Sequence, residues 1–339
     1  MINNKAKIHK SYNYFINIII LLAAYFFIYF QIFYRQDLDS ILSFFQLQIQ
    51  KPETLILFTL VAILMPVNLG LESRKWQYLI RKIEKISFYK SFIGILTGIT
   101  TSIFTPNRIG DFFGKVFILK NVNPWKAIFI SILGSISQFI ITFFLGSLGT
   151  MIFIAIFSDV SNSFSELFYY GLLSIILLVN IFLFLFYFNV SIVTDVIIRI
   201  IPERWKRIRV YLRVFSYFST KELLSVLLLS FLRYCVFNFQ FFLLLRIFSI
   251  HIGLMESLMI SSCIFFILAF IPSIALAELG IRGSVAIAVF SMFFENNQIY
   301  SGQYKLGAAV AITVLWLINI IIPALLGSMF VLKLKFFRK

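Results

Sequence analysis

Charged and metal-binding side chains are scarce in this sequence. Of its 339 residues, 13% are charged and 60% are hydrophobic, and the mean hydropathy is +0.96. Because about a quarter of the residues in a soluble domain are charged, this composition excludes a soluble globular protein. The two cysteines, Cys235 and Cys263, and the two histidines, His9 and His251, stand apart from one another. We therefore expect no disulfide framework, no metal site and no cofactor.

Acidic residues are also few. The chain has 14 Asp and Glu against 30 Lys and Arg, which gives a net charge of +16. In a soluble protein this excess would suggest a nucleic-acid partner. In a membrane protein it first sets the orientation of the helices, so we expect no nucleic-acid partner.

Long apolar runs dominate the sequence. A spanning helix needs about 20 mostly apolar residues to cross a hydrocarbon core of roughly 30 Å. Six segments meet this requirement: residues 12–34, 54–71, 127–157, 167–188, 223–245 and 307–332. The first lacks a small-residue cleavage site, so we interpret it as an uncleaved anchor. Two further apolar regions, 91–119 and 257–294, are interrupted in the middle by TPNRIGD and PSIALAELGIRGS, and each half is expected to be shorter than a span.

The distribution of Lys and Arg orients these segments. Basic residues cluster before the first span and after the second, fourth and sixth, at residues 5–10, 74–90, 199–221 and 333–339. The positive-inside rule places these four regions and both termini in the cytoplasm. We expect the membrane to be a plasma membrane such as the bacterial inner membrane. Six spans fit this arrangement if each interrupted region returns to its own side. We therefore predict two re-entrant helical hairpins, the first entering from the cytoplasm and the second from outside.

A weak internal similarity favours a duplication. A shift of 166 residues aligns Pro106 with Pro272, and a shift of 181 aligns Gln138 with Asn319 and LGS at 145–147 with LGS at 326–328. We predict an all-α polytopic membrane protein with about six spanning helices and two oppositely oriented re-entrant hairpins. It would form one transmembrane domain with inverted repeats at residues 1–160 and 161–339. In such folds the substrate site lies near the midplane, where the interrupted helices meet.

The segment TPNRIGDFFGK, residues 105–115, carries the first group of candidate site residues. We expect Thr105 to cap a half-helix that begins at Pro106, so that free N–H groups and Arg108 form an anion site. Arg108, Asp111 and Lys115 share a helix face at spacings of three and four, so Asp111 can neutralise one base. The same charges could instead form an ion-paired clasp that only holds the hairpin together.

The second interruption and three amides supply the remaining candidates. Glu278 and Arg282 are four residues apart and can pair with each other, with Gly283 loosening the turn. The predicted substrate-binding residues are thus Arg108, Asp111, Lys115, Glu278 and Arg282, and the secondary ones are Asn107, Gln138 and Asn319. Gln138 and Asn319 could equally be interhelical hydrogen-bonding residues. Lys75 is expected to set topology, and Trp76 to be an interfacial anchor.

Three segments resemble a known family. KWQYLI at 75–80, TPNRIGDFFGK, and IPSIALAELGIRG at 271–283 are similar to signature segments of the lysylphosphatidylglycerol synthase transmembrane-region family of flippase-like membrane proteins. The resemblance covers nearly the whole chain and implies lipid movement between leaflets. The longest polar loop is too short for the soluble synthase domain, so we expect the transport half alone. Family patterns often have Gly at the position of Asn107 and an acidic residue at that of Gly283, which leaves the charge balance of the second hairpin open.

These features lead to one principal hypothesis and two alternatives. In the first, Arg108, helped by Lys115 and Arg282, holds the phosphate of a phospholipid or isoprenoid lipid, while Asp111 and Glu278 balance charge or bind a coupling proton. The partners would be membrane lipids with anionic headgroups, and a homo-oligomer is possible. The alternatives are a membrane-embedded transferase acting on a lipid-linked substrate, which the short basic loops disfavour, and a non-transporting assembly subunit.

The predicted topology can be tested with cysteine labelling. In a background where Cys235 and Cys263 are replaced by Ser, Asn296→Cys is expected to react with a membrane-impermeant maleimide from outside the cell. Arg207→Cys, in the loop after the fourth span, is the control and should react only in inverted vesicles. Labelling of the cysteine at position 296 from the cytoplasm would contradict the inverted hairpins.

Overall fold

Helices account for the regular structure of the chain. The computed structural model of the protein describes residues 52–103, 105–157, 163–271, 275–296 and 302–331, and the predicted span at 12–34 lies outside them. The helices are α1 (Pro52–Ile80), α2 (Phe88–Ser102), α3 (Gly110–Val116), α4 (Pro124–Phe157), α5 (Ser163–Phe188), α6 (Val190–Ile200), α7 (Lys206–Leu212), α8 (Thr220–Ile247), α9 (Leu254–Phe270), α10 (Ala275–Asn296), α11 (Gly302–Trp316) and α12 (Ile322–Val331). The all-α class is confirmed.

Five helical segments in the described residues are long and apolar enough to cross a membrane. They are α1, α4, α5, α8 and the continuous run Tyr304–Val331, in which a π-turn at Leu317–Ile321 joins α11 to α12. These coincide with the five predicted spans that fall within the described residues. Little of α5 is buried, and its apolar side chains point outward, as a lipid-facing helix requires. The chain is therefore a polytopic integral membrane protein.

The two interrupted regions differ from each other more than the sequence suggested. The first consists of α2, a turn and the seven-residue α3, whereas the second consists of the 17-residue α9 and the 22-residue α10. A helix of 22 residues is within the length range of a span, so the expectation that each half is shorter than a span is wrong for α10. Gly280 and Gly283 lie inside this helix instead of loosening a turn, because single glycines weaken a helix without ending it.

Within the first region, α3 packs closely against α2. Thr97 Oγ1 donates to the carbonyl oxygen of Gly114 at 3.1 Å, and Thr101 Oγ1 donates to that of Gly110 at 2.7 Å. The contact requires glycine on α3, because a Cβ at either position would lie within 3 Å of α2 backbone or hydroxyl atoms. Two threonines and two glycines thus fix the helix that carries Asp111 and Lys115.

The long helices contact the interrupted regions reciprocally. α4 packs on α9, and α12 packs on α2. A Cβ at Gly146 of α4 would meet the Cβ of Phe266 at 2.7 Å, and a Cβ at Gly327 of α12 would overlap Thr100. Gly146 aligns with Gly327 and Thr100 with Phe266 under the two shifts described above. The two helix pairs thus pack in the same way, while the inverted repeats at residues 1–160 and 161–339 and the side from which each hairpin enters remain predictions.

Candidate functional site

The turn between α2 and α3 presents Arg108. A 3₁₀ turn covers Pro106–Arg108, and Asn107 and Arg108 have φ values of 49° and 57°. Left-handed backbone costs about 1–3 kcal/mol at each residue that is not glycine, and asparagine tolerates it best. The helix begins at Gly110, whose N–H donates to Thr105 Oγ1 at 2.8 Å, so the prediction that it begins at Pro106 is wrong. The turn offers the Arg108 side chain and not a long half-helix terminus.

A single carboxylate links the two interrupted regions. Glu278 Oε1 accepts from the guanidinium of Arg108 at 2.5 Å and from that of Arg282 at 2.6 Å. Glu278 is buried, whereas the Arg108 side chain is 40% exposed. The predicted pairing of Glu278 with Arg282 is present. Arg108 takes Glu278 as its ion-pair partner, and Asp111 pairs with Lys115, because the fold brings α10 to the turn. We call Arg108, Glu278 and Arg282 the arginine group.

A second set of ion pairs surrounds Glu72 of α1. Its carboxylate lies 2.8 Å from Lys75 Nζ, 3.1 Å from Arg233 Nη1 of α8 and 3.5 Å from Lys115 Nζ. Lys115 Nζ also lies 2.5 Å from Asp111 Oδ2. We call these five residues the Glu72 group. It connects α1, α3 and α8, so it fixes the position of α3 from two sides.

Three members of the Glu72 group were not predicted as site residues, namely Glu72, Lys75 and Arg233. Lys75 was assigned to topology and Trp76 to the membrane interface, but both are buried, and Trp76 Nε1 donates to Ser131 Oγ at 3.0 Å. The predicted span ended at residue 71, whereas α1 continues to Ile80 and carries Glu72 and Lys75 into the protein. Arg233 had a usable signal, because it is a charge near the middle of an apolar segment, where ionisable residues mark functional sites.

Both ion-pair groups line one cavity of about 440 Å³. It lies between α1, α2, α3, α4, α8, α10 and the π-turn, and its walls also include the aromatic rings of Phe112, Phe139 and Phe237. Glu278 is not part of the wall and supports Arg108 and Arg282 from behind. Seven of the eight predicted site residues therefore line the same cavity: Asn107, Arg108, Asp111, Lys115, Gln138, Arg282 and Asn319.

The amides in the cavity wall connect the helices. Arg233 Nε donates to Asn68 Oδ1 at 2.8 Å, and Asn68 Nδ2 donates to Asn319 Oδ1 at 3.2 Å. Arg233 Nη1 also donates to Gln138 Oε1 at 3.4 Å. Gln138 and Asn319 thus combine interhelical hydrogen bonding with a place in the cavity wall. Fixed cations and amides among apolar walls are suited to binding a polar anionic group.

The fold and the cavity define a polytopic integral membrane protein with a charged cavity between two interrupted helical regions. The chain belongs to the family described as lysylphosphatidylglycerol synthase TM region, whose model matches residues 15–327. The resemblance of the three sequence segments is thereby confirmed. No curated protein and no solved structure matches the chain. Membership of this family associates the protein with lipid handling and does not identify its substrate.

The Glu72 group should be needed for stability. Glu72→Gln removes the shared partner of three cations, and breaking a buried ion pair in this way costs about 3–5 kcal/mol. We expect a clearly lower Tm in thermal unfolding of the detergent-purified protein. Glu203→Gln is the matched control, because Glu203 and Lys206 form a pair whose side chains are 76% and 68% exposed. Such pairs contribute about 0–1 kcal/mol. Equal Tm values for the two variants would contradict the structural role of Glu72.

Proposed function

We propose that the protein moves a phosphate-bearing lipid between the leaflets of the membrane. The headgroup would occupy the cavity while the acyl chains remain in the bilayer. The observation that carries this proposal is the cavity itself, where five basic side chains from four separate parts of the chain face one internal space. The family's general association with lipids supports the same direction. The protein would act in the plasma membrane with both termini in the cytoplasm.

Charged side chains inside a membrane raise the free energy of the protein. A Lys, Arg or Asp at a helix centre costs about 2.5–3.5 kcal/mol on insertion scales. A headgroup phosphate crossing hydrocarbon alone pays a similar or larger desolvation penalty. Within the described residues, the cavity's cations exceed its carboxylates. A bound phosphate would offset this excess, so the protein and the ligand lower each other's penalty.

The ion pairs suggest how the headgroup would be received. Arg108, Arg282 and Lys115 are each held by a carboxylate, so they are oriented before the ligand arrives. A phosphate would take up some of their N–H donors as charge-assisted hydrogen bonds. Glu278 and Asp111 would then balance the remaining charge or take a coupling proton. Arg233, which shares Glu72 with Lys115, would add a further donor.

A structural clasp is the second candidate, and one observation favours it. Each of the five cations in the cavity already lies within ion-pair distance of a carboxylate. A protein that used these charges only to hold its helices together would show the same contacts. Such a protein would be an assembly subunit and not a carrier. A transferase is not favoured by any particular contact in the cavity.

The decisive experiment measures lipid exchange in proteoliposomes. The wild-type protein is expected to exchange labelled phospholipid between leaflets, and Arg108→Ala should slow this at least about tenfold, because a charge-assisted hydrogen bond is lost. Arg207→Ala, at an exposed arginine of α7, is the matched control and should exchange lipid at the wild-type rate.

A paired neutral variant separates the carrier from the clasp. Arg108→Gln with Glu278→Gln removes both charges of the ion pair that the structure contains. If Arg108 holds the headgroup, this variant should lose lipid exchange, whereas if the pair only holds the helices together, the variant should exchange lipid at the wild-type rate. Equal exchange rates for the wild type, Arg108→Ala and the paired variant would exclude the proposed role of Arg108.

A further inference from the structure

Each of the two ion-pair groups has one more cation than carboxylates. The arginine group has Arg108 and Arg282 against Glu278. The Glu72 group has three cations, Lys75, Lys115 and Arg233, against Glu72 and Asp111. With each side chain in its ordinary charged form, the described cavity carries a formal excess of two positive charges. The excess is divided equally between two walls.

One ligand can reach both walls. A smaller cavity of about 250 Å³ adjoins the first, and Gln138, Arg233 and Arg282 line both spaces. Arg233 belongs to the Glu72 group and Arg282 to the arginine group. The junction between the two cavities is therefore bordered by one cation from each group, which is where we expect a single anionic headgroup to bind.

The smaller cavity is suited to an apolar chain. Its lining also includes four apolar side chains, Phe237, Phe265, Leu268 and Ala269, of which Phe237 and Ala269 line both spaces. A ligand with a charged head between Arg233 and Arg282 could place the start of its chain against these side chains. The pair of cavities thus has the polarity of an amphipathic molecule. A soluble anion would leave the apolar part unused.

We propose that the ligand is a lipid whose headgroup carries two negative charges, that is, a phosphomonoester or a diphosphate. This inference rests on the proposed function above. A phosphomonoester bears about −1.5 to −2 charges at pH 7, which matches one excess cation on each wall. A phosphodiester bears one negative charge and would leave one wall uncompensated, and a zwitterionic headgroup would leave both. Uncompensated charge is expensive in such surroundings.

Two lipids with identical acyl chains test the charge requirement. Phosphatidic acid is a phosphomonoester and phosphatidylglycerol is a phosphodiester, and their affinities for the purified wild-type protein can be compared in detergent. We expect phosphatidic acid to bind at least about tenfold more tightly, the effect of roughly one additional charge-assisted contact. Inorganic phosphate supplies the third arm and should bind much more weakly than phosphatidic acid, because it lacks the chain.

Gln138→Glu is the sharpest variant for this test. Gln138 already accepts from Arg233, so the substitution adds a carboxylate of the same shape beside the excess cation of the Glu72 group. The ratio of the two affinities should then fall from at least about tenfold to near one. A ratio is insensitive to the fraction of protein that is folded. Asn189→Asp adds the same charge at an exposed position and should leave the ratio unchanged.

The outcomes separate this inference from the proposed function. Equal affinities in the wild type, or a ratio that Gln138→Glu leaves unchanged, would overturn the requirement for two charges. Inorganic phosphate binding as tightly as phosphatidic acid would overturn the assignment to a lipid. In either case lipid exchange that depends on Arg108 would leave the proposed function standing. Loss of the exchange result would remove the proposed function itself.

Discussion

The contact on which the cavity depends is the carboxylate of Glu278 between Arg108 and Arg282. It joins the turn before α3 to α10, and so connects regions that lie 170 residues apart in the chain. Arg108 reaches this position from a left-handed backbone, a strained conformation that asparagine at 107 and the Thr105 hydrogen bond make tolerable. Without that carboxylate, the two arginines would lie side by side with no charge between them and repel each other. The shared carboxylate therefore holds both guanidinium groups in place at the cavity wall.

The fold could largely be predicted from the sequence, because span length and hydropathy are local properties. The five predicted spans among the described residues are present, and the charges of TPNRIGDFFGK and of α10 meet. What failed depended on tertiary contacts. Spacing allowed Asp111 to neutralise one base, and Lys115 is that base, but the partner of Arg108 is Glu278, which lies 170 residues away. Hydropathy predicted that the second span ends at residue 71, because Glu72 and Lys75 are charged. The helix continues to Ile80, because these charges are paired inside the protein.

The departures from the family pattern have different consequences in the structure. At Asn107 the sequence resemblance implied glycine, and the positive φ of this residue is one that both glycine and asparagine accept. At Gly283, where family patterns often have an acidic residue, a side chain would meet open space. The excess positive charge of the arginine group follows from its own composition, two arginines on one carboxylate. The charge balance of this region, which the sequence left open, is one positive charge in excess.

The central claim is that a lipid phosphate occupies the junction between Arg233 and Arg282. The most direct measurement is an experimental structure of the protein in nanodiscs that contain phosphatidic acid. The account predicts a phosphate bound between the two guanidinium groups, with the acyl chains extending past Phe237 and Phe265. Ordered lipid confined to the outer surface, with both arginines still held by their carboxylates and no phosphate between them, would contradict it.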